Sequence, residues 1–155
     1  MTTDSIVTLV GTIVTIIATI ITFCQARKAK NYKEQIRFDI RKINLSGASE
    51  RLRRAQDDIR ILPTDYSSIP RGLRVSDLIH NIKSQFDFAL NVIDKSGPDQ
   101  DIRNLLTNAQ NKLNSYELAL INKKIDPKDS HELQSFVQDA ISQSSSRIFA
   151  LEGKS

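Results

Sequence analysis

Residues 5–24 read SIVTLVGTIVTIIATIITFC, twenty residues without a charge. At 1.5 Å per residue a helix of this length covers about 30 Å, the thickness of a bilayer's hydrocarbon core. The stretch therefore predicts a transmembrane helix. A secretory signal needs a basic segment before its apolar run and a small residue at the cleavage point. Here only Asp4 precedes the run as a charge, and Phe23-Cys24-Gln25 closes it. The reading is a retained single-pass anchor. Arg27, Lys28, Lys30 and Lys33 follow the apolar run, and no Lys or Arg stands before it. The positive-inside rule then places the N-terminus outside and the C-terminus in the cytoplasm, at the cell inner membrane. A reducing compartment suits the lone Cys24, which reads as a small apolar filler, with acylation as the minor alternative.

The anchor also carries a pattern. Ser5, Thr8, Thr12, Thr15, Thr19 and Thr22 recur at alternating spacings of 3 and 4, which gathers hydroxyls on one helix face beside Gly11. Small polar residues on one face let neighbouring helices approach and share hydrogen bonds. The competing reading is that each threonine bonds back to its own i−4 carbonyl while facing lipid. The same spacing continues through Ala26, Ala29, Lys33, Ile36, Ile40 and Ile43. In lipid, apolar contact drives no association; in water, isoleucine burial does. The seam predicts one helix of nearly 40 residues in a parallel homo-oligomer, with Lys33 as a fault near the headgroups.

Beyond it, Leu45, Ala48, Leu52, Ala55, Ile59 and Leu62 form a second stripe, offset from the first at Ser46-Gly47. Glycine costs about 1 kcal/mol inside a helix, so a break or hinge is expected there rather than a rotation of the buried face. Residues 63–74, with Pro63, Pro70 and Gly72, read as the longest loop. A helix is expected from an N-cap near Ser76 to Ser96-Gly97-Pro98, with Ile79, Ile82, Phe86 and Ile93 on its inner face. The next carries Ile102, Leu106, Ala109, Leu113 and Tyr116. The last starts at Asp126-Pro127, buries Leu133, Val137, Ala140 and Ile141, and stops at Gly153. No segment alternates as a strand does. The expected fold is all-α: a transmembrane helix over residues 1–26 continuing into a cytoplasmic helical bundle, residues 27–155, that binds a ligand.

The chain has 155 residues and a net charge of +4, which allows one modest domain beside the anchor. One Cys excludes an intrachain disulfide and a multi-thiolate metal site. There is no HExxH, GxSxG, Walker A, GxGxxG or EF-hand pattern, and the two His, His80 and His131, fall on different predicted helices. No enzymatic activity, cofactor, metal or DNA duplex is expected.

From Arg27 to Arg60 there are 11 basic and 5 acidic residues, against 11 and 12 from Ile61 to Ser155. Part of this excess follows from topology, and part suits anionic membrane lipid. Arg51, Arg53, Arg54 and Arg60 would form a positive ring in a symmetric oligomer, fit for a polyanion, unless Asp57 and Asp58 pair with them. The stretch 66–81, YSSIPRGLRVSDLIHN, offers a binding surface. Arg71 and Arg74 suit phosphate, with the start of a helix beside them. Tyr66 and His80 suit stacking on a base, and Asn81 suits its hydrogen-bonding edge. A plain loop with solvated arginines is the alternative.

The layout of hydroxyl seam Ser5–Thr22, basic stalk and basic, aromatic-bearing loop Tyr66–Asn81 resembles the membrane-associated effectors of type III CRISPR antiviral defence. The resemblance implies a cytoplasmic domain that binds a cyclic oligoadenylate second messenger, of the cyclic tetra-adenylate class, and perturbs or opens the attached transmembrane assembly. It transfers no ligand residues. A membrane-tethered scaffold whose head binds a protein partner is the alternative, and a constitutive holin-like pore is a further one.

Overall fold

The computed structural model describes residues 3–95 and 97–153, with side chains from Thr8 onward. Ser5 of the seam and Ser96 of the expected stop therefore lie outside the described side chains. The elements are α1 (Thr3–Ile61), a single 3₁₀ turn (Tyr66–Ser68), α2 (Val75–Val92), α3 (Gln100–Ile121) and α4 (Pro127–Glu152), and no strand occurs among the described residues. The chain divides into two units, Met1–Ile40 and Arg41–Ser155.

The described residues of the first unit are all helical. Every side chain described from Thr8 to Ile40 is exposed. Among the described residues one helix, α1, is long and apolar enough to cross a membrane, and none of its apolar window is buried. The guanidinium of Arg27 lies 4.7 Å from the centre of the Phe23 ring, where the apolar segment gives way to the basic one. Ile36 and Ile40 on the seam stand exposed.

The second unit, called the head below, is a bundle of four helices with the remainder of α1 as its first. Its core follows from helical periodicity. Leu45, Ala48, Leu52, Ala55 and Ile59 of α1 meet Ile79, Ile82, Phe86 and Ala89 of α2. Ile102, Leu106, Ala109, Leu113 and Tyr116 of α3 and Leu133, Val137, Ala140 and Ile141 of α4 complete it. Short connections make neighbours antiparallel, and polar pairs on the rim show the order round the bundle. Arg51 reaches Gln85 at 3.3 Å between α1 and α2, and Lys83 reaches Glu117 at 2.5 Å between α2 and α3. Lys112 sits between Asp129 at 3.3 Å and Glu132 at 2.5 Å, joining α3 to α4. Those hydrogen bonds hold the Glu132 carboxyl below its usual range and the Lys112 ammonium above its own. Lys42 and Glu152, 2.8 Å apart, close the ring from α1 to α4.

The two ends are tied by buried polar groups. At one, the Arg41 guanidinium meets Asp99 through two bonds of 2.5 and 2.6 Å, and Arg103 donates to the carbonyls of Leu90 and Ile93 at the end of α2. At the other, the Tyr116 hydroxyl donates to the Pro63 carbonyl at 2.7 Å, anchoring the 62–74 loop. Burial pushes that hydroxyl's pKa up to about 12.

Two expectations are corrected. No break occurs at Ser46-Gly47: α1 runs through it, with Ile36, Ile40 and Ile43 of the first stripe exposed and the second stripe, roughly a third of a turn round the helix, buried. Packing of the second stripe outweighs glycine's propensity cost. Likewise α2 begins at Val75 after Arg74, without a side-chain cap, so Ser76 lies inside the first turn. Asp126 does cap α4, accepting from Lys128 N at 2.9 Å with Pro127 at the first helical position.

The continuous helix has a testable consequence. A Cβ on Gly47 would meet only Phe88 Cε1, at 3.9 Å, an ordinary contact. Gly47→Ala should therefore raise head stability by about 0.5–1 kcal/mol, read by thermal unfolding in detergent. A loss of stability would restore the hinge.

Candidate functional site

The expected binding stretch begins in the loop after α1. Tyr66 opens the 3₁₀ turn and is partly exposed. The hydroxyl of Ser67 donates to the Asp65 carboxylate and holds it below its usual range. Leu73 N donates to Pro70 O at 3.1 Å, and Gly72 adopts φ +93°, a conformation that favours glycine. This turn presents Arg71 at its tip, exposed. Arg74 is also exposed and lies 3.8 Å from Asp77, a weak surface pair. His80 and Asn81 are exposed on α2, successive residues that point about 100° apart. The surface recesses described in the head are lined by none of the five.

One neighbour of this surface was not foreseen. Lys123, at φ 57° just past α3, places its ammonium 5.7 Å from the centre of the Tyr66 ring. Tyr66 thus already carries a cation on one face.

In the apolar segment, Thr12 donates to Thr8 O at 2.8 Å and Thr15 to Gly11 O at 2.9 Å. Thr19 donates to Thr15 O and Thr22 to Ala18 O, each at 2.8 Å. Each of these four hydroxyls therefore spends its proton on its own helix, and the oxygens remain as acceptors.

The head offers a second surface, along the junction of α1 and α4. A recess of about 370 Å³ is lined by Ser46, Ser49, Glu50, Arg53, Ser145, Ile148, Phe149 and Glu152. A neighbouring one of about 340 Å³ is lined by Arg53, Gln56, Asp57, Gln138 and Ile141. Arg53 is common to both. The side-chain amides of Gln56 and Gln138 join the two helices between them. Each carboxylate here has a cation: Glu50 has Arg54 at 3.1 Å, Glu152 has Lys42 at 2.8 Å and Asp57 has Arg60 at 3.5 Å. Arg53 has no ion-pair partner among the described residues.

Of these, Arg53 and Ser46 had a place in the sequence reading; Ser49, Ser145 and Phe149 did not. The usable signal was Phe149, an aromatic one position off the inner stripe of α4, and it is 78% exposed. No family model, curated protein or solved structure matches this chain.

Proposed function

We propose that the chain is a membrane-anchored antiviral effector of the kind its layout resembles. Its helical head binds a cyclic oligonucleotide of the cyclic tetra-adenylate class and perturbs or opens a parallel homo-oligomer in the inner membrane. The observation that supports this best is that a single helix, α1, supplies both the apolar segment and a core-forming wall of the head. A ligand that alters the packing of that wall acts on the element that enters the bilayer. The ligand must bind one state more tightly than the other, and a shift from 1% to 99% open takes about 5.5 kcal/mol of difference.

A scaffold for a protein partner is the second reading, favoured by Leu118 and Ile121, both exposed near the end of α3. Full-length protein in dye-loaded vesicles separates the two. Saturable binding of cyclic tetra-adenylate with dye release is the expected result. Release should be lost when Thr8, Thr15 and Thr22 become leucine, changes a scaffold would tolerate. No binding by folded protein would overturn the effector reading.

A further inference from the structure

The geometry points to the α1–α4 groove, rather than the 66–81 stretch, as the place where the head holds its ligand: one phosphate on Arg53 and one base on Phe149. This rests on the proposed function and names the site for it. Four features meet there. The recess is of a size with small-ligand sites and is lined by mixed apolar and polar groups. Its acids each have a cation of their own in a surface pair, and Arg53 is the cation of the recess that no carboxylate pairs with among the described residues. A guanidinium is suited to forked recognition of phosphate. The hydroxyl-bearing Ser46, Ser49 and Ser145 line the same recess and supply donors for phosphate or ribose oxygens.

Phe149 completes the set. A base stacks on an aromatic face whatever its sequence, so the ring supplies affinity and the polar groups supply orientation. By contrast Arg71 stands on a turn tip with no recess described around it, and Tyr66 has Lys123 over its ring.

The test titrates full-length protein in nanodiscs with cyclic tetra-adenylate, comparing Arg53→Gln, Phe149→Ala, Phe149→Tyr and Arg71→Gln. Arg53 and Phe149 are exposed, so the substitutions should leave unfolding temperature unchanged, which is measured alongside. The first two should weaken binding by about tenfold to a hundredfold. Phe149→Tyr and Arg71→Gln should bind as the parent does. If the parent binds and the groove variants bind equally, the groove is overturned while the effector reading stands. Loss at Arg53→Gln with full binding by Phe149→Ala overturns it too, since a phosphate contact alone then suffices. If the parent binds nothing, the effector reading falls and this inference falls with it.

Discussion

Phe86→Ala should destabilise the head by about 3–5 kcal/mol. The ring is fully buried on α2, within the core built by all four helices. Its loss removes a large apolar surface and leaves a void that helices tied at both ends cannot close. That is a large share of the roughly 5–15 kcal/mol that holds a domain of this size together. The control lies two residues on. Phe88 is 39% exposed and packs under Arg51, 4.7 Å from its ring centre, so Phe88→Ala should cost about 1 kcal/mol or less. Hydrogen exchange of the full-length protein in detergent reads both. Comparable losses from the two would mean that the core is not centred where the burial places it.

The second large effect concerns Arg41 and Asp99. The carboxylate is 4% exposed and the guanidinium 24%. Hydrogen bonding to Asp99 raises the arginine's pKa further above its already high value, so the guanidinium stays charged. Removing one partner of a buried pair leaves the other charge without its solvent or its counterion. The partial exposure of Arg41 softens this for one variant only. Asp99→Asn, which strands the wetter group, should cost about 2 kcal/mol; Arg41→Met, which strands the drier carboxylate, should cost about 3 kcal/mol or more. Substituting both should cost less than the sum of the two, in a double-mutant cycle by thermal unfolding. Strict additivity would mean that the contact contributes nothing.

Much of the bundle was legible in the residues because buried faces impose a period. The stripes from Ile79 to Ile93, Ile102 to Tyr116 and Leu133 to Ile141 became the inner faces of α2, α3 and α4. Helix propensity misleads at Gly47 because it is a small local term, whereas the stripe from Leu45 to Ile59 is held helical by packing in the head. Ser76 looked like a cap because the residue type suits one, yet Arg74 took the place. The groove was harder to see for a physical reason. Ser46, Ser49 and Arg53 resemble any solvated helix face, and what makes them a recess is α4, packed beside them from about a hundred residues away in the chain. The residues of 66–81 share a stretch of sequence, but α2 turns His80 and Asn81 in different directions.

The bond between Lys42 and Glu152 has a practical meaning for anyone labelling this protein. The last turn of α4 finishes at the end of the head where Arg41 begins it. A bulky label on an exposed residue of that last turn would therefore crowd the end of the head that holds the Arg41–Asp99 pair. The connections at 62–74 and 122–126 emerge at the opposite end, and of the two the shorter is the better place for an inserted reporter, since Tyr116 grips the longer one at Pro63.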